Sequence, residues 1–364
     1  MSGTSGPRIE VANLVVRSDR TTAVDGIGFA IAPGELVTLL GPSGCGKTTT
    51  LRAIAGLENP SGGEIRLNGQ TVWASGGRNG RGPKIPAERR GVSMVFQSYA
   101  IWPHMTVFEN VAYGLRVRNA STADVRDNVA RVLDMVQMGQ YADRPSSNLS
   151  GGQQQRVAVA RAIAFSPNVV LFDEPLSNLD ARLRAEMRVE LRELQRRLDI
   201  TSLYVTHDQE EALAISDRVI VMNGGRIEQI GAPEDIFNRP VSRFVADFVG
   251  SANMVEGRVK GTDADGTMVF ETRAGTLIHA VAGKPDASLL ALRSSYVQLR
   301  PGEAPGEVNT IPGTIHRRMF HGDFIQYVID WPDGQLIVRR PPTERLEEGA
   351  AVTVSFSPDH CVLL

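Results

Sequence analysis

Residues 8 to about 240 alternate short apolar runs with stretches of helical spacing. Leu36–Leu40 is an apolar run that ends in glycine. From Lys47 to Leu57, Leu51, Ile54 and Ala55 fall on one side, the spacing of a buried helix face. Further strand-like runs lie at Val169–Phe172, begun after Pro167, and at Leu203–Val205. Another, Val219–Met222, is closed by the turn Asn223-Gly224-Gly225. Apolar strands separated by helices predict an α/β sheet, largely parallel inside. After about Gly250 strong helical patterns stop, and turns such as DADG and WPDG appear. FIQYVIDW places Ile325, Tyr327, Ile329 and Trp331 on one face, and Asp333-Gly334 supplies a hairpin turn. The tail therefore reads as a small all-β domain, with a linker near 238–253. The stretch ASGGRNGRGPKIP at 74–86 reads as an exposed loop. Phosphate contact by its arginines is the alternative.

Length and charge narrow the class. A chain of 364 residues suggests about two domains. Hydrophobic content of 42% with 22% charged residues is that of a soluble globular protein. A net charge of −2 offers no broad positive field to nucleic acid. Two cysteines, Cys45 and Cys361, make no disulfide framework and point to a reducing cytosol. The start MSGTSGPRIE has no apolar h-region, so no secretory signal is expected. No apolar run reaches the roughly 18 residues of a spanning helix, so the expected place is on a membrane protein rather than through the bilayer.

The candidate chemistry begins at GPSGCGKT, 41–48, which fits G-x-x-x-x-G-K-[ST] between an apolar strand and a helix. Gly41, Gly44 and Gly46 let the backbone curl, so that N–H groups of the loop, which also carries Pro42, Ser43 and Cys45, point inward at phosphate oxygens. Lys47 adds a point charge for the β- and γ-phosphates. The Thr48 hydroxyl can ligate Mg²⁺, and Thr49 follows in a first turn whose positive end faces the anion. VVLFDEP at 169–175 buries a strand and brings Asp173 out at its carboxyl end, where it can hold the Mg²⁺ shell. Glu174 comes next, placed to polarise a water for attack on the γ-phosphate. Cys45 lies near Lys47 and a helix N-terminus, so its thiolate is expected to be favoured.

A second glycine-rich site, LSGGQ at 149–153, follows a polar stretch instead of a buried strand. Ser150 can N-cap the helix that follows, with Gly151 and Gly152 exposing its first amides and Gln153 behind them. Within one chain it has no obvious phosphate to hold. In a head-to-tail pair it could close over the triphosphate held by the other chain.

In this order the motifs resemble the ATP-binding subunits of ABC transporters, over about residues 8–245. GPSGCGKT is similar to their Walker A, VVLFDEP to Walker B, LSGGQ to the signature, and Gln97 in FQSYA to the Q-loop. SNLD at 177–180, with Asp180, looks like the D-loop, and His207 in YVTHD like the switch histidine. FQSYAIWPHMTVFENV and DEPLSNLDARLR resemble importer ATPases for sugars, polyamines, ferric iron, sulfate and related solutes. The resemblance implies an α/β P-loop NTPase (ABC-type) domain over 1–240, with a helical subdomain at about 98–165. A small all-β, OB-like barrel domain over 241–364 would follow, helping to pair subunits and sometimes receiving regulatory signals. It implies an ATPase using ATP and Mg²⁺, with Lys47, Glu174 and His207 catalytic, and Thr48, Gln97 and Asp173 around the metal. The nucleotide would be held by residues 41–49, Gln97, Asp180 and, across a homodimer, Ser150, Gly151, Gly152 and Gln153. Two membrane-spanning permease subunits and, indirectly, an extracytoplasmic solute-binding protein are the expected partners, at the cytoplasmic face of the inner membrane. Tyr99, Ile101, Trp102, Pro103 and His104 would form either subdomain core or a groove for the permease.

Two other readings carry less. ABC-type ATPases of nucleic acid or ribosomes usually join two cassettes in one chain or insert a long coiled coil, and neither is seen. A β-barrel tail could stack bases on Phe320, Phe324, Tyr327 and Trp331 near Arg317 and Arg318. The Tyr327/Trp331 face, however, alternates like a core, and no nucleic-acid partner is expected.

One departure from the family generates a prediction. Its members usually place an adenine-stacking aromatic before Walker A where this chain has Ser18, in VVRSDRTTA, with no aromatic in that stretch. Stacking on a base is worth roughly 1–3 kcal/mol, so its loss weakens affinity by about ten- to a hundred-fold at that scale. The neighbouring Arg17 offers a planar guanidinium as a partial substitute. Modest ATP affinity with poor discrimination against GTP is expected, and Ser18→Tyr should tighten ATP. Calorimetry checks it: sub-micromolar ATP affinity with strong rejection of GTP in the unmodified chain would show that another group reads the base.

Overall fold

The computed structural model describes residues 6–18, 21–76, 82–264, 266–302 and 308–364. Arg78 and Arg81 of the glycine-rich loop lie outside the described residues. The chain divides into two compact units, Met1–Pro233 and Glu234–Leu364. That division falls a few residues before the boundary expected at 240.

The first unit runs β1 (Ile9–Ser18), β2 (Thr21–Ile31), β3 (Leu36–Leu40), α1 (Lys47–Ala55), β4 (Gly62–Leu67), β5 (Gln70–Ala74) and β6 (Val92–Val95). It continues with α2 (Val107–Val117), α3 (Thr122–Met135), α4 (Gly151–Ile163), β7 (Val169–Asp173) and α5 (Ala181–Arg197). Then follow β8 (Thr201–Thr206), α6 (Gln209–Ile215), β9 (Arg218–Asn223) and β10 (Arg226–Gly231). The main sheet has the order β10-β9-β3-β8-β7-β6. Its pairs are parallel except β10 with β9. β3, β7 and β8 are buried at every position, because parallel strands are covered on both faces. A separate antiparallel sheet has the order β2-β1-β4-β5.

The period of two along each strand sorts the core into two layers. Leu39, Leu171, Leu203 and Val205 face Leu51 and Ile54 of α1, together with Ile9, Leu14 and Ile65 of the antiparallel sheet. Val170, Phe172 and Tyr204 face the other way, into a layer shared with Val107, Val111, Val129, Val157 and Leu191 of the helices. α2, α3 and α4 fall within the expected helical subdomain. α2 starts where it does because Thr106 and Glu109 form a reciprocal capping box. α1 ends at Gly56, which takes the left-handed conformation at φ 87°. There the buried Arg90 donates to the carbonyls of Ala53 and Ile54 at 2.7 and 2.8 Å.

In the second unit one core is enclosed by a six-stranded and a five-stranded sheet. Ile325, Tyr327, Ile329 and Trp331 are buried within it. Tyr327 donates its hydroxyl to the Glu344 carbonyl at 2.7 Å. Its ring and that of Trp331 are therefore withdrawn from base stacking. The expected linker at 238–253 is in fact partly built. Arg243–Phe248 is a helix capped by Ser242, and the buried Arg293 guanidinium donates to the carbonyls of Phe237, Ala246 and Val249. A side chain forty residues and more downstream supplies those bonds, so local composition could not reveal the segment as structured.

Candidate active site

Two glycines of the phosphate loop are required by crowding. A Cβ on Gly41 would lie 2.3 Å from the Met222 carbonyl oxygen and 2.6 Å from Cys45 Sγ. Gly46, at φ 99°, would put one 2.4 Å from the Ala23 carbonyl oxygen. The loop thus curls between β9 and β2 with no room for side chains at either point. Pro42 accepts from the Cys45 amide at 3.3 Å, Ser43 and Gly44 are exposed, and Thr49 is half-buried. Lys47 is 5% exposed, and its ammonium donates to the Gly41 and Pro42 carbonyls at 2.7 and 2.9 Å.

Thr48, in the first turn of α1, donates to Asp173 Oδ1 at 3.0 Å. Arg52, one helical turn further on, reaches Asp173 Oδ2 at 3.5 Å. Asp173 is 3% exposed. Burial pushes its carboxyl up, opposed by the Thr48 bond and Arg52, with the Glu174 charge adding to the upward push. Glu174 leaves β7 in the left-handed region at φ 45°, held by its amide donating to the Val205 carbonyl at 3.0 Å. Its Oε2 lies 3.2 Å from His207 Nδ1 and accepts from Gln97 Nε2 at 3.5 Å. Asn178 in turn donates to the Gln97 carbonyl at 2.8 Å. The structure therefore gathers Lys47, Thr48, Gln97, Asp173, Glu174 and His207 at the carboxyl ends of parallel strands, where open α/β sheets bind ligands.

The signature residues are not in that group. Ser150 Oγ accepts from the Gln153 amide at 3.4 Å, and Gln153 Oε1 accepts from the Ser150 amide at 3.0 Å. This capping box spends their side chains on each other. Among the described residues no hydrogen bond joins them to the phosphate loop. Asp180 caps α5 by accepting from the Leu183 amide at 3.0 Å.

The stretch after Gln97 divides. Tyr99 is buried and Ile101 packs against the helical core, Trp102 is half-buried, and Pro103 and His104 are exposed. Four neighbours of the site were not singled out from sequence: Arg52, Asn178, Arg184 and Arg161. Arg161 donates to the Tyr99 and Ala100 carbonyls at 2.7 and 2.6 Å. Arg52 carried a local signal in its spacing of four from Thr48, and Asn178 and Arg184 lie inside the stretch DEPLSNLDARLR, but the Gln97 and Asp208 that they reach do not.

The ABC transporter family model matches residues 24–177, and the TOBE domain model matches 290–364. The Fe(3+) ions import ATP-binding protein FbpC of Brucella abortus (strain 2308) is 46% identical over 336 residues, 92% of this chain and 90% of that protein. The chain belongs to the ATP-binding subunits of ABC transporters. The spermidine/putrescine import ATP-binding protein PotA of Rubrobacter xylanophilus is 42% identical over 366 residues, 98% of this chain and 93% of that protein. The solved structure of cbiO1 from Clostridium perfringens, described as part of the ABC transporter complex cbiONQ, has a TM-score of 0.57 at 29% identity. It covers 64% of this chain and 90% of that one. The chain is thus an importer-type, energy-coupling ATPase: an ABC domain followed by an all-β, OB-like TOBE domain. Such subunits work with membrane permease components. Among the described residues of this one, no helix is long and apolar enough to cross a membrane.

One expectation is overturned. Cys45 is 3% exposed, and burial pushes its thiol up; Lys47 beside it only partly offsets this. The helix N-terminus and the lysine favour a thiolate, but desolvation of that anion outweighs them. Cys361 is buried as well, and its thiol is pushed up to about 12. In the folded protein at neutral pH both thiols should therefore react with maleimide far more slowly than glutathione does. The Cys45 rate should still be climbing above pH 9, and both thiols should label fully in denaturant. Mass spectrometry after timed labelling reads this, and fast modification of Cys45 at pH 7 would contradict it.

Proposed function

We propose that two copies of this chain close head to tail around two ATP molecules and drive uptake through two membrane-spanning permease subunits. The supporting observation is the convergence of His207 and Gln97 on one oxygen of Glu174, beside the Thr48–Asp173 bond. In this reading Glu174 orients a water for in-line attack on the γ-phosphorus. The bond to the β,γ-bridging oxygen breaks, and ADP and phosphate leave. Lys47 and the loop amides carry the developing charge, and His207 donates to the γ-phosphate. Thr48 and Asp173 provide the hydroxyl and carboxylate oxygens that suit Mg²⁺, which is usually held by one or two protein oxygens together with phosphates and waters. Bound there, the ion would neutralise phosphate charge. Gln97 would add its amide oxygen to that shell and link it to the permease.

The signature supplies the rest of the cage in trans. With Gln153 and Ser150 bonded to each other, the Gly151 and Gly152 amides remain at a helix N-terminus for an acceptor from outside the chain. Asp180 couples the two sites across the pair. An importer handling a small cationic solute fits relatives named for Fe(3+) ions and for spermidine/putrescine. The solute passes through the permease, delivered by an extracytoplasmic binding protein, with this chain on the cytoplasmic face of the inner membrane.

Glu174→Gln should lower turnover by at least about a hundred-fold and leave ATP affinity unchanged, trapping a stable ATP-bound dimer. Steady-state hydrolysis and size-exclusion chromatography measure both, and wild-type turnover removes Glu174 from the mechanism.

The trans arrangement has its own test. A Cβ on Gly151 meets only Leu179 Cδ2, at an ordinary 3.6 Å, so Gly151→Asp should fold while placing a carboxylate against the partner's γ-phosphate. Mixing Gly151→Asp with Lys47→Ala subunits leaves one composite site whole and puts both lesions in the other. Activity in the mixture that neither homodimer shows is expected; its absence contradicts the arrangement.

A further inference from the structure

His207 projects from a short segment between β8 and α6, and its neighbours are fastened on both sides. On one side, Thr206 donates its hydroxyl to Glu211 Oε2 at 2.8 Å, and Tyr204 donates to the same oxygen at 3.0 Å. On the other, Asp208 Oδ1 caps α6, accepting from the Glu210 and Glu211 amides at 2.8 and 3.2 Å. The Asp208 amide donates back to Thr206 Oγ1 at 3.0 Å. Residues 206 and 208 are thereby locked to one another and to α6, so the backbone of His207 is carried by that frame.

The second oxygen of Asp208 is not used by the cap. It accepts from Arg184 at 3.2 Å, and the other terminal nitrogen of Arg184 donates to the Leu179 carbonyl at 3.1 Å. Arg184 Nε stands 3.9 Å from Glu211 Oε1. Leu179 immediately precedes Asp180. One planar guanidinium therefore spans the gap between the Asp180 loop and the His207 frame, a geometry its fork suits and an ammonium cannot match. Its side chain is 32% exposed and that of Asp208 24%, so solvent screens the pair and its value as a plain stability contact is small. The bridge instead sets geometry. Asn178 holds the same loop from the other end, on the Gln97 carbonyl.

We propose that Arg184 is a positioning residue for hydrolysis, tying the Asp180 loop to the His207 segment of the same chain so that the two move as one body. The proposal rests on the role given to His207 above. Among the described residues Arg184 itself is hydrogen-bonded only to Asp208 and the Leu179 carbonyl, and the phosphate loop that holds the nucleotide is untouched, so the loss should appear in kcat and not in KM.

The test is a double-mutant cycle in the full-length protein, measuring kcat and KM for ATP. Arg184→Gln removes the bridge, and Asp208→Asn keeps a capping oxygen while removing the charge that faces Arg184. Each should lower kcat by about ten-fold or more and leave KM within about two-fold. The double variant should be no slower than the slower single, because both break one link. Arg184→Lys, which keeps the charge and stem but reaches one partner only, should recover part of the rate. Wild-type kcat in Arg184→Gln, an effect confined to KM, or losses that multiply in the double variant would each overturn the proposal. His207→Ala, run alongside, reads the underlying assignment separately. Wild-type turnover there removes the role of His207 whatever the cycle shows, whereas a slow His207→Ala with an additive cycle removes only the bridge.

Discussion

Asp173 puts a carboxyl at the end of a strand that is buried throughout, and its neighbours in the site bear on the cost of charging it there. Desolvation and the adjoining Glu174 both oppose its ionisation, while Thr48 and Arg52 support it. Both supports come from α1, so the carboxylate that answers to the sheet also fixes the helix carrying the phosphate loop. The strand order supplies the remaining members. β7 lies between β6 and β8, all parallel, so the loops leaving the three strands emerge side by side. Gln97 follows β6, Glu174 follows β7 and His207 follows β8. Their meeting at one carboxylate oxygen is a consequence of topology, not of sequence proximity.

Part of the backbone strain lies at the same place. Glu174, Tyr99 and Ala100 all sit at positive φ without being glycine. Such residues cost on the order of 1–3 kcal/mol each and persist only where their surroundings over-determine them. The restraints are visible. The Glu174 amide continues the ladder to Val205, and Ser177 donates to the Glu174 carbonyl at 3.0 Å. The Tyr99 and Ala100 carbonyls are held by Arg161, whose guanidinium also lies 4.9 Å from the Trp102 ring centroid. Arg161 belongs to the helix that begins at the signature. The conformation after Gln97 is therefore set by the helix that begins at the LSGGQ turn.

The legible part of this molecule was the part written locally. A glycine loop between a strand and a helix, a run of apolar residues ending in Asp173-Glu174, and a serine three positions before a glutamine each declare themselves within ten residues. The face of Ile325, Tyr327, Ile329 and Trp331 did so by its period of two. What escaped depends on which helix lies over which loop: Arg161 on the Tyr99 carbonyl, Asn178 on that of Gln97, Arg184 on Asp208. Cys45 is the instructive failure. Its neighbours in sequence favour a thiolate, but the sequence does not show that β9 and β2 close over it, and desolvation then outweighs the nearby charge.

The same packing bears on how closure of a dimer could be felt inside one chain. Gly152 lies under α5 so closely that a Cβ would stand 2.7 Å from Leu183 Cδ2, and Gly151 rests near Leu179. The signature turn thus bears on the residues flanking Asp180. Arg184 is the next residue of α5 after Leu183, with its guanidinium on Asp208 beside His207. A shift of the signature against a partner's triphosphate would press on Leu179 and Leu183 first, and the polar groups beside them are Asn178 on the Gln97 carbonyl, Asp180 on the Leu183 amide and the Arg184 bridge to the histidine segment. Contiguity alone does not establish coupling. Arg184 differs from the other contacts of this route in kind, because the apolar contacts at Leu179 and Leu183 can slide whereas two hydrogen bonds from one rigid fork hold their direction.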